Sequence, residues 1–287
     1  MKISVSTYSF RRYLKSGKMQ QWDCVARAAE MGFDGIEISN FSPPDEMDIR
    51  AYAAQLREEA EKYDLEIPIF LCNADFLKSG VELEKEITRL KELVDAAAIL
   101  GVPCMRHDVS VGDGKTNFYV ALPQLANACQ EITAYAAERG IKTCVENHGY
   151  FCQGRERLEA LYAAVNHENF GLLVDMGNFL FADDVPAVSV GALAEHAFHA
   201  HAKDFHVKPA SGANPGRGFG WQSKSGQYLR GAIIGHGDVD VMHCIRALQK
   251  NKYDGWLGIE FEGIEEPFEG ISIGLENLRR YIGELQV

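Results

Sequence analysis

Strand and helix signals alternate strictly along this chain, eight of each, and that regularity limits the folds open to it more than any single motif does. Short apolar runs predict strands at Ile3–Tyr8, Gly35–Ile38, Glu66–Cys72, Cys104–Asp108, Thr143–Asn147, Gly171–Asp175, Phe198–Lys203 and Trp256–Phe261. Helical periodicity fills the intervals, at Met19–Met31, Asp48–Tyr63, Val81–Leu100, Phe118–Arg139, Arg157–Asn166, Val185–His196, Asp240–Lys250 and Ile271–Leu285. Gly32, Gly101 and Gly140 follow three of these helices, where a left-handed residue ends a helix at low cost. Such alternation implies parallel strands joined by right-handed crossovers. Eight units in 287 residues, about 36 residues each, match a single α/β domain, a (β/α)8 TIM barrel spanning 1–287. A doubly wound open sheet competes, but no G-x-G-x-x-G follows the first or second strand.

One connection breaks the rhythm. Residues 205–235 form a long loop after the seventh strand, rich in Gly, Ser, Asn and Pro, yet carrying Trp221, Tyr228 and Arg230. Loops this long are usually functional or disordered. The aromatics point to an ordered lid over a site.

In a barrel, active sites lie at the carboxyl ends of the strands. Strand five ends in Glu146-Asn147-His148, strand six in Asp175, and strand eight in Glu260-Phe261-Glu262. Strand seven alternates so that His199, His201 and Lys203 share one face, with Phe198, Ala200 and Ala202 on the other. A solvated edge strand with chance histidines is the bland alternative. Four consecutive strands thus send carboxylates and imidazoles to one rim. Buried carboxylates are costly unless paired or metal-bound, and only Lys203 and Arg106 lie near enough to neutralise them. Three carboxylates and one neutral imidazole suit one divalent metal ion, Mn2+, Co2+ or Mg2+, with Zn2+ suiting less clearly.

The segments Val145-Glu-Asn-His-Gly149, Val174-Asp-Met-Gly-Asn178, His201-Ala-Lys-Asp204 and Gly258-Ile-Glu-Phe-Glu262 resemble the xylose isomerase-like superfamily of TIM barrels. Ser6-Thr7-Tyr8-Ser9 and Gly32-Phe-Asp-Gly-Ile-Glu37 are similar to it as well. That superfamily includes sugar-phosphate isomerases and epimerases, D-tagatose 3-epimerase-like enzymes, inosose dehydratases and endonuclease IV. The resemblance implies Glu146, Asp175, His201 and Glu260 as metal ligands, with Glu146 and Glu260 doubling as the catalytic acid and base. It implies that His201, not His199, touches the ion. Asn178 departs from the ketose 3-epimerases, which tend to carry a histidine there.

The expected chemistry follows. An ion chelating two oxygens of a hydroxy-ketone acidifies the C–H between them. One carboxylate takes that proton, and a second returns it to give an isomer or epimer. Loss of water from the same enolate gives a dehydratase instead, and a non-catalytic binding or subunit protein on this fold is a third class. Arg106 and Lys203 are candidates to hold hydroxyls or a phosphate. Glu37, His107, His148, His236 and Glu262 are further substrate-binding candidates. Trp221 and Tyr8 would wall a sugar face, and Trp221 or Arg230 would close the lid. The expected partner is a small sugar or sugar phosphate, with a homo-oligomer (dimer or tetramer) open.

Net charge is −12, which disfavours a nucleic-acid substrate and with it the endonuclease reading. There is no run of about 18 apolar residues to span a membrane. The N-terminal segment lacks signal-peptide architecture. Seven cysteines with no CxxC pair read as reduced thiols in a cytoplasmic protein, and Cys144 with Cys152 is a weak metal candidate.

Overall fold

The structure is a computed structural model that describes residues 1–44 and 47–285. Eight parallel strands close into a barrel: β1 (Lys2–Ser6), β2 (Gly35–Ser39), β3 (Phe70–Cys72), β4 (Cys104–His107), β5 (Lys142–Glu146), β6 (Phe170–Asp175), β7 (Ala197–Ala202) and, last, β11 (Trp256–Ile259), which pairs with both β7 and β1. Helices α2 (Gln21–Glu30), α3 (Ile49–Lys62), α4 (Val81–Leu100), α5 (Phe118–Ala137), α6 (Arg155–Val165), α7 (Pro186–Leu193), α8 (Val241–Lys250) and α9 (Pro267–Glu284) occupy the crossovers. A short α1 (Arg11–Lys15) lies between β1 and α2. The barrel is thus the (β/α)8 expected.

Element ends differ from expectation for local reasons. The first strand stops at Ser6, whose hydroxyl accepts from the Tyr8 N–H and starts a 3-10 turn over Thr7–Phe10. That turn swings Tyr8 over the barrel mouth. The third strand is only three residues long, because Pro68 has no N–H to donate to a ladder. The last helix begins at Pro267 rather than Ile271; the Glu266 carboxylate caps it by accepting from the Glu269 N–H.

Period-2 alternation divides the strands into two cores. Met105, Val145, Val174 and Ala200 pack outward against the helices, while Ile69, Leu71, Cys104, Cys144 and Leu173 form a separate cluster in the lumen. Going up from that plug, Arg106 follows Cys104, Glu146 follows Cys144, and Asp175 follows Leu173. On the β3–β6 side, apolar residues fill the lumen's lower layer and charged ones its mouth. Phe198 departs from the alternation. A register shift between Leu172 and Leu173 leaves it without a ladder partner on β6, and its ring packs on the lumen plug instead of facing outward with Ala200.

The insertion after β7 is a folded unit. Strands β8 (Asp204–Lys208), β9 (Trp221–Gln222) and β10 (Tyr228–Ala232) make an antiparallel sheet in the order β8-β10-β9. The prolines of the insertion and most of its glycines lie in the connection between β8 and β9, which is exposed from Lys208 to Arg217. Phe181, Phe205 and Leu229, with Trp221 against them, bind the sheet to the loop after β6. Asp204 closes its base by accepting from the N–H groups of Phe205, Gly235, Gly237 and Val239. Gly237 has to be glycine, since a Cβ there would lie 2.2 Å from Asp204 Oδ1. A sequence rich in turn residues hid this sheet, because β8 and β10 pair across the long Gly- and Pro-containing connection that separates them. Among the described residues, no helix is long and apolar enough to cross a membrane. All seven cysteines are free and buried.

Candidate metal centre

The carboxyl ends of β5, β6, β7 and β11 bring Glu146, Asp175, His201 and Glu260 together at the barrel mouth. One donor atom from each lies within 4.8 Å of the others, and all four residues are buried. His201 Nδ1 stands 3.7 Å from Glu146 Oε1, 3.8 Å from Asp175 Oδ2 and 3.9 Å from Glu260 Oε1. These separations are too long for hydrogen bonds. His201 Nδ1 and Asp175 Oδ2 are buried without any hydrogen-bond partner. Unpartnered buried polar atoms are rare and costly. Two of them facing one point, with two further carboxylate oxygens beside it, are what a divalent cation of the Mn2+, Co2+, Mg2+ or Zn2+ kind requires. The residues present fit such an ion.

Each donor is oriented by its own partners. Asn147 locks β5 to β6 by donating to the Asp175 carbonyl (2.9 Å) and accepting from the Asp175 N–H (2.8 Å). The N–H of Asn178 donates to Asp175 Oδ1 (2.7 Å), and its side-chain amide donates to Glu146 Oε1 (2.9 Å). Arg106 hydrogen-bonds Glu146 Oε2 and also reaches Asp108 Oδ1 at 3.2 Å. Lys203 Nζ lies 2.7 Å from Glu260, 3.5 Å from Glu262 and 3.7 Å from Asp175. The Tyr8 hydroxyl donates to Glu262 Oε2 at 2.8 Å.

This packing shifts protons. Burial pushes the Glu146 carboxyl up, but Arg106 and His201 outweigh it and hold it well below the usual range. Burial pushes the Lys203 ammonium down, yet Glu260, Glu262 and Asp175 hold it well above. Burial raises Asp175 to about 7, with Lys203 opposing and Glu146 adding to the shift. Burial, Glu262 and Glu260 push the Tyr8 phenol up against the pull of Lys203 and Arg11, so it is a hydrogen-bond donor across the neutral range.

A cavity of about 190 Å³ opens above the four donors. Arg106, His148, Lys203, Glu260, Glu262, Tyr8 and Trp221 line it, as do Asn40, Asn73, Gln153 and Asn178. Four residues expected to touch a substrate do not line it. His107 alternates with Arg106 and so faces outward; its ring lies edge-on to Phe76, and burial lowers its pKa to about 4. His236 is exposed on the turn after β10. Arg230 turns toward Glu265 and covers the Phe219 ring. Glu37 is fully buried one layer below the donors, bonded to His199 and His201. The expected pair Cys144 and Cys152 does not meet: Cys144 packs in the lumen against Cys104 (Sγ to Sγ 3.8 Å), and Cys152 in the outer core.

The family description "Xylose isomerase-like TIM barrel" matches residues 25–281. The chain belongs to this family. It is 26% identical over 276 residues to an inosose dehydratase of Clostridium botulinum, covering 91% of this chain and 88% of that protein. The xylose isomerase-like fold recurs in an IolI protein solved with a bound zinc atom, with a TM-score of 0.78, 16% identity and 99% of each chain covered. A D-tagatose 3-epimerase-like protein superposes with a TM-score of 0.73 at 19% identity over 100% of this chain and 98% of that one.

Sequence reasoning passed over Asp108, Asn147, Gln153 and the linking role of Asn178. Asp108 carried a readable signal, since it sits two residues beyond Arg106 and so on the same face. The asparagines carried none, because their partners come from other strands.

Proposed function

We propose that this protein is a divalent-metal-dependent dehydratase acting on a polyol ketone of the inosose type. One observation carries the reading: a buried ammonium, Lys203, sits against Glu260 beside the four converging donors, in a chain whose curated relative over nine-tenths of its length is named inosose dehydratase. Elimination of water needs a base for the C–H next to the ketone and a proton for the departing hydroxyl. Epimerisation needs two bases of similar kind on opposite faces. The two walls of this cavity carry unlike proton chemistry, which suits elimination.

Glu146, Asp175, His201 and Glu260 would hold the ion. A bound divalent ion supplies the positive charge that acidifies a C–H beside a ketone. Glu146, kept ionised by Arg106, takes the proton from that carbon. Lys203 and Glu260, joined by a 2.7 Å hydrogen bond, deliver a proton to the hydroxyl on the next carbon, which leaves as water. The C–H electron pair becomes the new C=C bond, and the product is a conjugated enone. Tyr8 and Glu262 hold a ring hydroxyl, while His148, Asn40 and Asn73 offer hydrogen bonds to the others. Trp221 covers an apolar face and, with the β8–β10 sheet, keeps bulk water from the intermediate.

The test is incubation of the metal-loaded protein with an inosose and with free ketoses. Growth of ultraviolet absorbance, with one water lost by mass, is expected for the inosose. Solvent deuterium entering a ketose with inversion and no absorbance change would move the reading to the isomerase or epimerase class. No exchange with either substrate would leave a binding protein.

A further inference from the structure

Below the four donors lies a second polar layer that the proposed reaction does not use. Glu37, on β2, crosses the lumen to β7. His199 Nε2 donates to its Oε1 at 2.7 Å, His201 Nε2 to its Oε2 at 2.8 Å, and the Ser4 hydroxyl to Oε1 at 2.6 Å. A carboxylate only accepts hydrogen bonds, so the ring nitrogens facing it carry the hydrogens. With Nε2 holding a hydrogen for Glu37, Nδ1 is the ring nitrogen that faces the donor cluster and is left to bind an ion. His199 comes two residues earlier on the same face, its ring 5.4 Å from that of His201 and nearly perpendicular to it.

The barrel also leaves room for this carboxylate. Gly258, on β11, faces the lumen opposite Glu37. A Cβ there would come within 2.0 Å of Glu37 Oε1 and 2.9 Å of His201 Cδ2. Any larger residue at 258 would push Glu37 off the two imidazoles.

We infer that Glu37 is a positioning residue that fixes the tautomer and the ring orientation of His201, braced by His199 and Ser4 and accommodated by Gly258. This inference rests on the four-donor cluster being a metal centre, and it does not depend on which reaction the centre runs. Hydrogen-bond partners of metal-bound imidazoles typically contribute 10- to 100-fold in metal affinity. Glu37 does not line the cavity above the donors, so its effect should appear in metal binding before it appears in turnover.

Co2+ is the probe, titrated into the full chain after chelator treatment, with competing chelator to read affinity and the visible spectrum to read geometry. The wild type is expected to take up one Co2+. Glu37→Ala should bind it 10- to 100-fold more weakly with an altered spectrum. Glu37→Asp keeps the charge but is one methylene too short to reach both rings, and about a tenfold loss is expected. It guards against a folding failure of the alanine variant. Gly258→Ala should reproduce that loss while leaving every donor in place. Unchanged affinity and spectrum in Glu37→Asp overturn the inference alone. So does uptake of two Co2+ per wild-type chain, because Glu37, His199 and His201 would then be ligands themselves. A wild type that takes up no Co2+ overturns the metal-centre reading and this inference with it.

Discussion

On the β4–β5 wall of the cavity, the Arg106 guanidinium lies between Glu146 and Asp108. On the β7–β11 wall, the Lys203 ammonium lies between Glu260 and Glu262. Each wall therefore pairs one buried cation with two carboxylates, one of them a donor to the cluster. The cations differ in what they can do. A guanidinium does not give up its proton in a protein, and its rigid fork holds two carboxylates in one geometry. An ammonium is a compact charge that can pass a proton on. The first wall pins an ionised base. The second can carry a proton to a leaving group. His148 extends the first wall through Asp108 at 3.2 Å, and Tyr8 extends the second through Glu262.

The largest effect should come from removing the charge of either donor glutamate. General acid–base groups contribute about 10²–10⁴ in rate, and Glu146 and Glu260 are placed to hold the ion as well. Glu146→Gln and Glu260→Gln should each lose about 10⁴-fold or more in kcat, with lowered metal content. Solvent deuterium exchange at the substrate's α-carbon checks the division of labour. Exchange should vanish in Glu146→Gln and persist in Glu262→Gln. If Glu262→Gln alone abolishes exchange, the base has been placed on the wrong wall.

Exchanging the cations sharpens the comparison. Lys203→Arg keeps the charge but removes the transferable proton, and kcat should fall about 10²–10³-fold with metal content retained. Arg106→Lys keeps the charge but loses the fork, and about a tenfold loss is expected, mostly in metal affinity. Equal losses of the same kind would mean that the walls are equivalent, which favours epimerisation.

A third effect is in pH. Asp175 is raised to about 7 by burial, opposed by Lys203 and reinforced by Glu146. Its folded value thus lies above the unfolded value of about 3.9. Such a group binds more protons in the folded state, so its contribution to stability is full below about pH 4 and is lost as pH rises through 7. The ion-free protein should lose stability at this group across that window. An ion competes with the same proton, so metal affinity should rise by up to tenfold per unit as pH climbs to 7, then level off. Isothermal titration from pH 5.5 to 8 checks this. A flat profile would mean that Asp175 does not exchange its proton for the ion.

The smallest expected effect is on the cover. Deletion of the Gly212–Gly220 tip should lower turnover several-fold while moving thermal stability little, since most of the tip is exposed and Asp204 anchors the sheet elsewhere. Trp221→Ala should lower turnover likewise but also cost stability, because the Trp221 ring packs on Phe181 and Phe205. Unchanged turnover in the tip deletion would assign the segment to another role, such as a subunit contact.

How far the site could be read beforehand varies residue by residue. Glu146, Asp175, His201 and Glu260 were legible because each ends a predicted strand and the barrel sends strand ends to one rim. Lys203 and Arg106 were legible by the same rule. His107 ends a strand too, but it alternates with Arg106, and that parity turns it outward onto Phe76. Glu37 had the right parity but sits one layer too low. Depth in the lumen depends on strand tilt and stagger, which no local pattern records. Arg230 and His236 lie away from the cavity because a loop's side-chain directions follow from its own pairing, and β8 and β10 pair across a turn-rich connection that no local pattern bridges.

Local pattern alone therefore determined the alternation of strand and helix, the parallel closed barrel, the inward residues of most strands and the acidic character of the mouth, but not the side taken by Phe198. These follow from periodicity and charge, which are properties of neighbours in the chain. The tertiary structure decided which inward residues meet the cluster and which lie beneath it, that Asn147 and Asn178 lock the carboxylates, and that Gly258 makes space for Glu37. It also set Arg106 and Lys203 on opposite walls and folded the long insertion into a sheet. Each of these depends on contacts between residues far apart in the chain, whose distances are set only once the barrel has closed.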